Sequence, residues 1–190
     1  MRLTRIGLLL LSVAGGAVAA EGTAGGVKWN SPASWKLQAA RQMRVATYDV
    51  PAAPGSETGE CGVFYFGQGQ GGGVDENFER WVKQFEGAAP PKKGEKTVHG
   101  LRVHTIDISG TYLASGGPMM QSQGKKPGYR LLGAIVEAPQ GLIFFKCIGP
   151  SATIGKGPRM AILRDGWSGF PFRSFLAGAS GRGEQPLLLE

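Results

Sequence analysis

The chain has 190 residues, two cysteines and a formal net charge of +7, or +5 once Arg2 and Arg5 are set aside. That length suits one domain with a real core. The basic excess is scattered rather than gathered on one aromatic-laced face, which argues against a nucleic-acid-binding surface, and without a Cys-x-x-Cys pair no thiol-exchange chemistry is indicated.

Residues 1–20 have the layout of a secretory signal peptide: Arg2 and Arg5, a short apolar stretch IGLLLLSVA, then small residues at Ala17-Val18-Ala19 and Ala20. The stretch is short for a membrane span, and no second long apolar run follows. The expected address is outside the cytoplasm, periplasmic or secreted. Residues 21–27, with EGTAGG, are expected as a flexible lead, residues 28–154 as an α+β domain, and residues 155–190 as an irregular or divergent tail.

VKWNSPASWKL reads as a short strand and turn, and QMRVATYDV as the next strand, with Met43, Val45 and Thr47 on one face. CGVFYF is apolar on both faces, as a strand covered on both sides would be. After the glycines, Asp75 is placed to N-cap a helix and Glu76 suits its positive end. Phe78, Trp81, Val82 and Phe85 form one apolar stripe at helical spacing, while Glu79, Arg80 and Lys83 face away. Gly87 and Pro90-Pro91 end that helix, and Lys92, Lys93, Glu95 and Lys96 read as a solvated loop. TVHGLRVHTIDISGTY is strand-rich, and the polar LASGGPMMQSQGKKPG follows it. YRLLGAIVE and LIFFKCI then make a hairpin around Ala138-Pro139-Gln140-Gly141, with proline and glycine where a type I turn wants them. Beyond Gly149-Pro150 the pattern deteriorates. Short turns between neighbouring strands imply antiparallel pairing, so the fold class read from the chain is α+β, one central antiparallel sheet flanked by helices.

Gly67, Gly69 and Gly72 spell G-x-G-x-x-G between a strand and a helix, the setting of a dinucleotide fingerprint. The fingerprint also requires an acid about 20 residues on and a parallel crossover. Here that position holds Pro90-Pro91-Lys92-Lys93, and only one convincing helix is present. No cofactor is therefore expected. The glycines serve as a strand-to-helix joint, and Gly67, Gln68, Gly69, Gln70 and Gly71, with Arg80 and Lys83 on the exposed helix face, are the candidate binding surface. The surface has two readings: a partner protein, or a small polar or anionic ligand held by the loop amides.

Catalytic constellations are lacking. His99 and His104 fall on opposite faces of a strand and form no metal pair, and His104 near Asp107 is a weak imitation of a base with its orienting acid. Ser168 and Ser180 lack the final glycine of G-x-S-x-G. No carboxylate pair or calcium loop can be named, and no metal site or enzyme activity is expected. Cys61 and Cys147 lie in separate apolar runs; in an oxidising compartment they can pair across neighbouring strands, and the alternative is two buried thiols.

KWNSPASWKL, MRVATYDVP, VFYFGQGQGGGVDENFERWVKQF, GTY, YRLLGAIVEAP and FFKCIGPSATI together resemble a group of uncharacterised exported bacterial proteins with the fold of the photosystem II extrinsic protein PsbP and the Ran-binding protein Mog1. The resemblance spans residues 28–154. It implies an antiparallel sheet flanked by helices in a binding or assembly module, and it brings no catalytic residues. In that group an amphipathic helix follows the last strand; the last 35 or so residues here do not look like one. The function expected is an exported, non-catalytic domain that binds an envelope or extracellular protein.

Overall fold

The computed structural model describes residues 19–114, 124–156 and 161–164. Most of the expected signal peptide, residues 115–123, and Ser168 and Ser180 lie outside them. Among the described residues the chain forms eleven strands and two short helices. An eight-stranded antiparallel sheet is ordered β3 (Lys36–Leu37), β4 (Ala46–Val50), β5 (Gly59–Tyr65), β10 (Gly141–Pro150), β9 (Lys125–Ala138), β8 (Leu101–Leu113), β6 (Phe85–Glu86), with β7 (Lys92–Val98) also on β8. A second sheet of three strands is ordered β1 (Glu21–Ala24), β2 (Val27–Asn30), β11 (Ala161–Arg164).

This overturns the helix-flanked α+β reading. The protein is mostly β, and what covers one face of the large sheet is the small sheet, not a helix. Trp29 carries that contact. It is fully buried, its indole N–H donates to the Tyr48 hydroxyl at 2.9 Å, and its ring meets Phe145 edge-on at 5.6 Å. Gly22 stands opposite Trp29 in the register, where a Cβ would lie 2.3 Å from the indole. Val27, Val63, Val103, Val136 and Ile143 fill the same layer.

Residues expected as a flexible lead are therefore strand β1, held by β2. EGTA carries little apolar surface, and its order comes from pairing rather than from its own side chains. The lysine-rich loop is likewise strand β7. Six of its seven residues are exposed, since an edge strand bonds only one neighbour, and its lysines discourage edge-to-edge pairing. The tail contributes β11, paired with β2. Helix α2 (Ser151–Lys156) is only six residues long, and it follows β10 directly.

The opposite face is covered by helix α1 (Val74–Val82). Its stripe behaves as its spacing predicts: Phe78 and Trp81, with Phe85 just beyond, pack on Ile106, Ile108, Leu131, Ile135 and Phe144. The N-cap is Gly73, not Asp75: the helix starts two residues earlier than a side-chain cap at Asp75 would set it, with Gly73 in extended backbone and its N–H closed by the Glu76 carboxylate. Cys61 and Cys147 are register partners on β5 and β10, buried, and joined as a disulfide. The two-residue turn Pro139-Gln140 closes the β9–β10 hairpin where the sequence placed it.

Candidate functional site

Helix α1 covers the β8, β9 and β10 columns of its face and leaves β4 and β5 partly open. That open half begins at the glycine loop. Gly67, Gly69, Gly71 and Gly72 all have left-handed φ, between 71° and 97°, a region other residues enter at a cost. At Gly67 and Gly69 a side chain would meet open space, so the requirement there is one of backbone alone. Gly71 has a second constraint: a Cβ would sit 2.8 Å from Phe66 Cδ2 and 2.9 Å from Phe144 Cε2. Asn77 ties the loop down, its amide nitrogen donating to the carbonyls of Gly71 (2.9 Å) and Gly73 (2.8 Å). The loop also rests on the β9–β10 turn, where a Cβ on Gly141 would lie 2.9 Å from the Gly67 oxygen.

Of the expected surface residues, the structure brings Gly67 to Gly71 and Arg80 together. Arg80 donates to Asn77 Oδ1 at 3.2 Å and reaches back towards Gly72. Lys83 is exposed but sits at the far end of α1, as its C-cap. The helix N-terminus is already supplied with negative charge: Glu76 accepts the Gly73 N–H at 3.1 Å, and Asp75 stands in the same turn. A bound anion would meet two carboxylates there, which removes the physical basis for anion capture.

Asn77 and Phe66 were not among the surface residues expected from the sequence. Asn77 had a detectable signal, a polar residue beside Phe78 on the buried side of a strongly patterned helix. Phe66 had none. It is 38 % exposed and stacks near Phe64 (6.4 Å) and Phe144 (6.0 Å). The Arg44 guanidinium lies 5.3 Å above the Phe64 ring, and Val45 and Met43 are exposed at the neighbouring edge. The result is a short apolar row, Val45, Phe64 and Phe66, with Arg44 at one end and Arg80 at the other.

Next to this row is an ionic network. Glu60 accepts from Arg41 at 2.8 Å and from Arg44 at 2.6 Å. Lys146 lies between Gly62 and Gly133 in the register and donates to Gln84 Oε1 at 2.6 Å. Burial, and then Arg44, push its pKa down to about 8, with Glu60 opposing. The unfolded lysine titrates near 10.4, so between those values the unfolded chain binds more protons and stability rises with pH. Lys146→Met should therefore be more stable than wild type at pH 7, by up to about 3 kcal/mol, and the gap should close towards pH 10. Urea unfolding of both proteins at pH 7, 8.5 and 10 checks this; a gap independent of pH would refute the buried, depressed amine.

The imitation of a base and its acid is not realised. His104 Nε2 lies 2.7 Å from Glu137 and its Nδ1 3.5 Å from Glu95, whereas Asp107 takes a bidentate pair from Arg130, at 2.8 and 2.6 Å. Residues three apart on a strand face opposite sides, which separates the two. His99 lies in the β7–β8 turn with φ of 49°. Among the described residues no group of three His, Cys, Asp or Glu side chains is disposed to hold a metal ion, and no helix is long and apolar enough to cross a membrane.

No protein-family model matches the chain, and no curated protein matches it. Among solved structures the chain is similar to the crystal structure of PA94, a protein of unknown function from Pseudomonas aeruginosa, at 14% identity with a TM-score of 0.39, over 72% of this chain and 86% of that one. A likeness of that size carries no argument about function.

Proposed function

We propose that this is an exported, non-catalytic domain that binds another protein of the envelope or extracellular space through the glycine loop and the aromatic row beside it. The observation that carries the reading is Phe66, a large apolar side chain held exposed at the base of a loop that Asn77 fixes in place. Exposed aromatics on a rigid support are the usual anchors of protein interfaces. Arg44 and Arg80 flank the row, so the partner segment that fits is an apolar side chain with acidic neighbours. Export is supported by the character of residues 1–20 and by the disulfide.

The test is site-resolved crosslinking. A photoreactive residue at Gln68 should capture an envelope protein that the same residue at Lys92, on the far edge strand β7, does not. Phe66→Ser and Arg80→Glu should each weaken that complex by about tenfold or more, the scale of a lost interface anchor. Capture that is identical from both positions, or unaffected by either substitution, would overturn the proposal.

A further inference from the structure

Between β3 and β4 the chain reverses at Arg41–Arg44, where the Arg44 N–H donates to the Arg41 carbonyl at 3.3 Å. Within this turn only Met43 has positive φ, 61°. That is the pattern of a type II turn, whose third position is ordinarily glycine or asparagine because other side chains crowd their own backbone there. Among the described residues His99 is the other non-glycine with positive φ, and its geometry has a local cause. His99-Gly100 is the two-residue loop of the β7–β8 hairpin, and the favoured turn there needs positive φ at both positions. Met43 has no cause of that kind.

Nor does packing compensate for it. Met43 is 75 % exposed, the most open of the large apolar side chains among the described residues. What fixes the turn is ionic: its first and last residues, Arg41 and Arg44, both close on Glu60, at 2.8 and 2.6 Å. A turn pinned at both ends thus holds an apolar side chain outward in a backbone region that disfavours it. Strain of this kind collects where a contact outside the fold makes use of it.

The turn's surroundings say what that contact is. Met43 stands two residues before Val45, at the end of the apolar row that continues through Phe64 to Phe66. Two guanidinium groups share the one carboxylate of Glu60 there, which leaves a net positive charge beside the methionine. We infer that Met43 is a second anchor of the protein-binding surface, received by an apolar pocket of the partner while a partner carboxylate faces Arg41 and Arg44. The inference rests on the reading that the row binds an envelope protein, and it names the other end of that contact. An unbranched thioether adapts to the shape of the pocket that receives it.

The test uses the photoreactive residue at Gln68 in envelope extract and reads the yield of its adduct. A photoreactive residue at Met43 should give an adduct of the same mass. Met43→Asn supplies the residue that the turn favours: it should hold or raise the melting temperature while lowering the Gln68 adduct by about tenfold, the scale of a lost interface anchor. Met43→Leu keeps an apolar side chain and should stay within about threefold of wild type. Arg41→Gln removes one of the two cations, and should lower the yield at low salt and flatten its salt dependence. A Gln68 adduct that Phe66→Ser weakens and Met43→Asn leaves intact would overturn the anchor while the row's own reading stands. A melting temperature lowered by Met43→Asn would give the side chain to the fold and overturn it as well. An Arg41→Gln protein with unchanged yield and salt dependence would remove the partner carboxylate, and no specific adduct from Gln68 would overturn both readings together.

Discussion

Reduction of the Cys61–Cys147 bridge is expected to lower stability by about 4–5 kcal/mol and the melting temperature by roughly 10–15 °C. The bridge joins residues separated by 86 positions, so in the unfolded chain it closes a loop long enough to remove much of its conformational freedom. Both half-cystines are buried between β5 and β10, at the centre of the large sheet, where neither thiol exchanges a lost bond for hydration. Denaturant unfolding with and without reductant, followed by fluorescence and circular dichroism together, measures the difference. Coincident curves shifted by less than 1 kcal/mol would mean that the reduced state is held by something other than chain connectivity. Alkylation of both thiols in unreduced, unfolded protein would refute the bridge outright.

Gly133→Val is expected to cost about 3–5 kcal/mol, comparable to truncating a buried tryptophan. Gly133 is a mid-strand residue of β9, and its missing side chain is the slot that receives Trp81. A Cβ there would lie 2.2 Å from Trp81 Cζ3, 2.7 Å from Cε3 and 2.9 Å from Ile106 Cγ2. Neither the ring nor the strand can yield by that much, so α1 must lift, exposing Phe78, Trp81 and Phe85 together. Arg80 moves with it, and the proposed protein-binding row loses one of its cations. Near-ultraviolet circular dichroism should lose tryptophan structure and partner capture should fall in parallel. A Gly133→Val protein with wild-type stability would show that Trp81 does not occupy that slot. Gly133→Ala is the milder form of the same experiment.

Much of the local structure was legible because its cause is local. The stripe Phe78, Trp81, Val82, Phe85 repeats at the helical period, and β10 is an apolar run bounded by Gly141 and Pro150, so both were readable without neighbours. The left-handed turn of the loop was legible in its glycines. Strand β7 was not, since KKGEKTV is polar on both sides and its order comes from bonds to β8 alone. Strand β1 escaped notice for the same reason. The fold class failed one level higher: which element covers a sheet face depends on where Trp29 lands, and nothing near Trp29 in the chain points to Tyr48 or Phe145.

The candidate surface divides in the same way. Gly67 to Gly71 and Arg80 are near enough in the chain for helix and loop geometry to join them. Arg44 reaches Phe64 across a sheet, and Glu60, Lys146 and Gln84 meet from three separate segments. Sequence alone therefore determined the periods, the punctuation by glycine and proline, and the presence of two cysteines that could pair. Tertiary structure alone decided that they do pair, that a small sheet rather than a helix closes one face, and that Phe66 is left exposed while Lys146 is half-buried. The reason is physical: backbone preference and side-chain period act within a few residues, whereas register, burial and the dielectric around a charge are set by strands that meet only when the sheet closes.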